Sequence, residues 1–191
     1  MKSHTPSAHP SAPRERILTA AHTLFYGAGI RATGVDRVID EACVSKVTFY
    51  RQYPSKDDLI RAYLDYRHER WITWFEASLT REIGAGLSAP DALVATLKNW
   101  FGQPDFRGCA FLNAAAELGA SEPQVLETVR QHKRAMALVL DALFGSETGA
   151  KGDMLSLLID GAIVHAQMGR PTDEVIGALH ASIKALCSHD V

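Results

Sequence analysis

Apolar residues recur along this chain at helical spacing, and no stretch alternates apolar and polar positions as a half-buried strand would. Between about Arg14 and Tyr26, Ile17, Ala21, Leu24 and Phe25 fall at i, i+4, i+7 and i+8. Ala28 completes that face, and Gly27 and Gly29 end it. A longer pattern from about Lys56 to Arg81 carries Leu59, Ile60, Tyr63, Leu64, Arg67, Trp71, Trp74 and Phe75. As helix, those roughly 26 residues would reach about 39 Å. Gly84 to Ser88 is a turn cluster, after which Ser88 or Asp91, with Pro90, opens a helix to about Phe101. Arg107 to Gly119 reads as a helix buried nearly all round. Pro123 to Phe144 follows with Leu126, Val129, Met136, Val139, Leu140 and Leu143 on its inner face. A Gly-rich loop over 145–152 precedes two last helices, about Asp153 to Met168 and Asp173 to Cys187, the second capped by Thr172. With two short helices between Gly29 and Lys56, the pattern predicts about nine helices, an all-α fold class, and no internal repeat.

The two short helices carry the most specific signals. Thr33 can cap the first, with Asp36 standing three residues on, and Val35, Val38 and Ile39 give it one apolar face. Ala42-Cys43-Val44 has room only for a turn, and Ser45 can cap the next helix. There Val47 and Tyr50 fall three apart, while Lys46, Thr48, Arg51 and Gln52 point elsewhere. Tyr53-Pro54 stops it, because a residue before proline is pushed out of the α region. Ser55 and Asp58 restart the chain as helix. This is a helix-turn-helix, whose second helix enters the DNA major groove. That placement turns Lys46 and Thr48 toward base edges, Thr33, Tyr50 and Lys56 toward phosphates, and Arg51 and Gln52 toward either.

Composition narrows the class. The chain has 191 residues, 47% hydrophobic and 22% charged, as an ordinary globular protein does. No apolar run approaches the ~20 residues of a membrane span, and MKSHTPSAHPSAP lacks the apolar core of a signal peptide. Residues 1–13 are expected to be a disordered tail in which His4 and His9 are inert. Three scattered cysteines, Cys43, Cys109 and Cys187, fit a reducing, cytoplasmic setting, with Cys43 expected as a packed small hydrophobe rather than a redox sensor. The net charge of −2 looks wrong for a DNA binder until it is divided. Residues 14–56 carry seven Lys/Arg against four Asp/Glu, a net of +3, and residues 57–191 carry a net of −6. Attraction to phosphate is therefore local to the helix-turn-helix.

From Arg14 to about Ile60 the chain resembles the DNA-binding domain of the tetracycline-repressor (TetR) family of bacterial transcription regulators. Phe25, Gly29, Thr33, Val35, Ile39, Ala42, Val44, Ser45, Thr48, Tyr50, Tyr53, Pro54, Ser55, Lys56 and Leu59 carry the match, over about a quarter of the chain. Cys43 and Val47 depart from it, standing where the family has small residues. The resemblance implies a DNA-binding head over 14–60, with Ser45, Val47 and the groove residues at the operator and Tyr50 and Lys56 on phosphates. It also implies a body over 61–191 that holds a ligand pocket and a dimer interface.

Within the body, aromatic and polar residues suggest a pocket for a small apolar or aromatic ligand: Trp71, Trp74, Phe75, Trp100, Phe111, Asn113, Glu117, Met136 and His165. Taken singly, each of these reads better as core; it is the resemblance that favours a pocket somewhere in the body. The last two helices carry apolar stripes, Leu155, Ile159, Ala162 and Ile163, then Ile176, Leu179, Ile183 and Leu186, with small residues between. They suggest a four-helix homodimer interface. His22, His68, His132, His165 and His180 lie on different predicted helices, and no metal, nucleophile or phosphate motif appears, so neither catalysis nor a metal or cofactor is expected. The sequence thus points to a dimeric repressor of a double-stranded DNA operator, released when a ligand shifts the heads out of register with successive grooves about 34 Å apart. The alternatives are a regulator without a small-molecule ligand, acting through DNA and a protein partner, and a small helical enzyme.

Overall fold

A computed structural model of the chain describes residues 12–145 and 150–188. Among them are nine helices and no strand: α1 (Pro13–Ala28), α2 (Val35–Glu41), α3 (Lys46–Gln52), α4 (Lys56–Gly84), α5 (Ala89–Phe101), α6 (Ala110–Leu118), α7 (Pro123–Phe144), α8 (Ala150–Gln167) and α9 (Thr172–Cys187). The all-α fold class holds. The expected tail lies outside the described residues up to position 11, as do His4, His9 and positions 146–149 of the expected Gly-rich loop. The chain divides into two compact units, Met1–Tyr63 and Leu64–Val191.

In the first unit, α1, α2, α3 and the start of α4 enclose Ile17, Phe25, Val38, Phe49, Tyr53 and Leu59. Pro13 opens α1, where its missing N–H costs nothing, and Gly29 closes it at φ 92 with its amide on the Phe25 carbonyl, 3.0 Å away. Thr33 does not cap α2, as its sequence position had suggested. It is fully buried, and its hydroxyl donates to the carbonyls of Gly29 at 2.8 Å and Leu24 at 3.4 Å. Gly34, in extended conformation, takes the cap position instead. A buried hydroxyl needs partners, and the spent carbonyls at the end of α1 supply them.

Leu64 to Ser188 form the second unit, in which α7 packs on α6 and α8, and α9 on α5 and α8. Gly152 marks a close approach of α8 to α7. Its amide donates to Asp141 Oδ1 at 2.7 Å, and a Cβ there would collide with the Ala137 carbonyl oxygen. The α8 helix therefore begins before the glycine, at Ala150, not at Asp153. The start of α6 differs too, because residues 107–109 are not helical and Gly108 adopts φ 79. On α7 the inner face is rotated by one residue from the expected one at its start: Val125, Val129, His132, Met136, Ala137, Leu140 and Asp141 are buried, while Leu126, Val139 and Leu143 are half-buried.

Candidate nucleic-acid interface and ligand cluster

The reading helix is short, and its N-terminus is built by Ser45. That side chain accepts the Thr48 amide at 3.1 Å and shares a 2.9 Å hydrogen bond with the Thr48 hydroxyl. Phe49 points inward and is fully buried, leaving Val47 70% and Tyr50 43% exposed. The inner face is thus Phe49, not the Val47–Tyr50 pair that spacing suggested. Over two turns, the largest apolar side chain wins the core. Lys46 and Arg51 are exposed, and Lys46 pairs with Asp36 at 3.2 Å across open solvent, a bond worth little.

Two arginines counted toward the basic head brace it instead. Arg14 donates to the Gln52 carbonyl at 2.8 Å and lies over the Tyr53 ring, 4.4 Å from its centroid. Arg16 donates to the Cys43 carbonyl at 3.3 Å. Together they hold the turn before α3 and the residues at its end. Sequence reading missed them; their position at the start of α1 is the only signal. Cys43 is exposed at φ 50, so it is not the packed hydrophobe expected, and it bears the strain of a left-handed turn residue. Lys56 donates to the Ile30 carbonyl at 2.7 Å, and Ser55 and Asp58 already cap α4. Buried Thr33 has no hydroxyl to offer a phosphate.

In the second unit the aromatic residues converge. Trp71 stacks on Phe75 with ring centroids 4.7 Å apart and meets Trp100 edge-on at 5.5 Å. Trp74, half-buried, lies 6.2 Å from Trp100. Phe111 stacks on His132 at 3.6 Å, and Trp71 lies 5.2 Å from the same imidazole. Met136 is buried one turn along α7. His132 and His68 face each other through their Nδ1 atoms at 3.1 Å, so one ring donates and the other accepts. Burial first, then the charges of Lys133, His68 and Arg67, pushes His132 down to about 2, and it is neutral at pH 7. Neither histidine was chosen from the sequence, although Val125, Val129, His132 and Met136 follow one helical face.

Three predicted pocket residues lie elsewhere. Asn113 donates to the Arg107 carbonyl at 2.9 Å and accepts from Gln167 at 3.0 Å, tying the loop before α6 to α8. Glu117 is half-exposed, and His165 is exposed beside a groove between α8 and α9. The cluster itself holds a polar atom without a partner: Trp71 Nε1 is buried and unbonded.

The expected dimer stripe also moves. Leu155, Ile159, Ala162, Ile163, Ile176, Leu179 and Ile183 are buried within the protomer, and Leu186 is half-buried. α8 carries a second apolar stripe, and that one is wet: Leu157 is 73% exposed, Met154 49% and Val164 44%. Across from it on α9, Ala178, Ala181 and Ala185 are exposed. Among the described residues, no group of three metal-ligating side chains comes together, and no helix is long and apolar enough to cross a membrane.

A capped reading helix that lifts its polar and small apolar side chains into solvent, on an otherwise helical protein, defines a helix-turn-helix DNA-binding class. The sequence model "Bacterial regulatory proteins, tetR family" matches residues 17–63. A TetR-family transcriptional regulator from Streptomyces coelicolor is 33% identical, with a TM-score of 0.76 over 92% of this chain and 94% of that one. The HTH-type transcriptional repressor ComR of Escherichia coli is 23% identical over 176 residues, 85% of this chain and 83% of ComR. A TetR regulator from Chloroflexus aurantiacus, 23% identical, shares the fold with a TM-score of 0.74 over 93% of this chain and 94% of that one. The chain belongs to the TetR family and is a DNA-binding transcriptional regulator, not an enzyme.

Proposed function

We propose that the protein is a dimeric repressor of a palindromic operator, released by a small aromatic ligand that enters the cluster around Trp71. The observation that carries the ligand reading is the buried Nε1 of Trp71, which has no partner. Such a group costs about 1–3 kcal/mol when buried without a partner, and a ligand's acceptor atom would relieve that cost. Stacked rings supply apolar area around that polar point, as ligand sites generally do. The exposed apolar stripe of α8 with the small residues of α9 supports the dimer, and ComR is itself named a repressor. In the head, Lys46, Val47 and Thr48 face bases, with Ser45 holding the N-terminus of α3 and Tyr50, Arg51 and Gln52 at its flank and end. Ligand binding shifts the population toward a form with lower operator affinity.

Trp71→Phe keeps an aromatic ring, though a smaller one, and removes the N–H. It should leave the fold and operator binding intact while raising the ligand concentration needed for release by about tenfold, the value of one hydrogen bond near 1.4 kcal/mol. Operator release read by fluorescence anisotropy, over a panel of planar aromatics, checks this. An unchanged release curve would move the ligand away from Trp71.

A further inference from the structure

A bare carboxylate is out of place on a surface that approaches DNA, yet the head carries one against its reading helix. Asp36 on α2 has an 81% exposed side chain, and its Oδ1 accepts a hydrogen bond from Lys46 Nζ on α3 at 3.2 Å. The lysine side chain is itself 65% exposed. So open an ion pair adds little to the fold, and the carboxylate repels phosphates. The first turn of α2 gains from an acidic residue, but that gain does not need Lys46. The bond between the two helices is the feature that asks for a role.

We propose that Asp36 and Lys46 act as one composite reader that selects a guanine·cytosine pair in the major groove, Lys46 on the guanine and Asp36 on the cytosine. The proposal rests on the reading that α3 enters the groove, and adds to it a specificity-determining residue on α2 and the base pair it selects. The Lys46 ammonium has three N–H donors. Asp36 takes one, which leaves two for guanine N7 and O6. The remaining lone pairs of the carboxylate are open to the N4 amino group of cytosine.

The spacing agrees. Guanine O6 and cytosine N4 are joined by a base-pairing hydrogen bond of about 2.9 Å, and the donor and acceptor offered to them stand 3.2 Å apart. The four groups then close a ring of hydrogen bonds, each donor beside an acceptor. An adenine·thymine pair inverts the order: its amino group meets the ammonium, and thymine O4 meets the carboxylate. Lys46 alone would accept any groove acceptor, thymine O4 included. Asp36 removes that ambiguity, because a carboxylate cannot face a carbonyl oxygen without repulsion.

The test selects duplexes from a random pool with the full-length protein and compares dissociation constants at each half-site position. Wild type should favour G·C over A·T by at least about tenfold at one position. Lys46→Met and Asp36→Ala should each cut that preference to below about threefold at the same position and leave the other positions unchanged. The double variant should relax it no further than Lys46→Met alone, as a single reading unit requires. Asp36→Asn, whose amide both donates and accepts, should bring A·T to parity with G·C there. An unchanged melting curve for Asp36→Asn keeps any loss of α2 separate. A wild type without a G·C position, or an Asp36→Ala profile that is unchanged, would overturn the proposal. So would Asp36→Ala binding every sequence more tightly by one factor, the mark of an acid that only repels phosphate, or two substitutions that relax different positions. Thr48→Ala in the same selection separates the two readings. If its profile changes while that of Asp36→Ala does not, the composite reader alone fails; if neither changes, α3 is not in the groove and both fail.

Discussion

Leu157→Glu is expected to leave the protomer folded and to abolish the dimer. The side chain is 73% exposed in the protomer, so its loss removes little from the body's own core. Met154 and Val164 flank it on the same stripe, and the small residues of α9 give a second copy room to approach. A two-fold axis makes every substitution appear twice, so two carboxylates would face an apolar partner surface. Burying a carboxylate against apolar surface costs several kcal/mol, so the dimer's dissociation constant should rise by more than about a hundredfold. Operator affinity should fall with it, since each monomer holds only one half-site. Sedimentation velocity at micromolar concentration reads the result directly. A monomeric wild type, or a mutant that remains dimeric, would remove this face from the interface. Leu179→Glu is a poorer probe, because that residue is 4% exposed and a carboxylate there would unfold the body.

Phe49→Ala should melt the head and leave the body standing. The ring is fully buried and meets both Tyr50 and Tyr53. Removing a buried phenylalanine costs about 3–5 kcal/mol, which rivals the whole stability of a unit this small. Thermal unfolding followed by circular dichroism should show an early transition carrying only the head's share of helix, with operator binding lost at all sequences. A single transition at the wild-type temperature would mean that α3 is held by something other than its core ring. Val47→Ala, two residues away and 70% exposed, should leave the melt unchanged.

That contrast shows where sequence reading stops. Long patterns with caps at their ends were legible: the nine helices among the described residues, the Ser45 and Ser55 caps, the stop at Tyr53-Pro54. Faces of short or doubly apolar helices were not. Seven residues of α3 give too few repeats to separate Phe49 from Val47 and Tyr50. α8 carries two apolar stripes, and spacing alone could not say which one turns inward. Thr33 had the residue type and offset of a cap, yet its hydroxyl turns inside and donates to the Leu24 and Gly29 carbonyls at the end of α1. His132 was invisible for a different reason. A histidine in a sequence suggests a ligand or a catalyst, whereas this one stacks on Phe111 as a neutral aromatic. Arg14 and Arg16 likewise counted as charge for DNA and proved to be braces for backbone carbonyls.

The central claim is that α3 reads base sequence. Its most direct test is a salt titration of Val47→Ala, Thr48→Ala and Arg51→Ala on an operator selected from a random duplex pool and on its scrambled form. Val47→Ala and Thr48→Ala should lose about 1–3 kcal/mol on the operator and almost nothing on the scrambled duplex. Arg51→Ala should weaken both duplexes alike, and its salt slope should drop by about 0.9 per phosphate contact, doubled in a dimer. If Val47→Ala and Thr48→Ala weakened both duplexes equally, or neither, α3 would not be the helix in the groove.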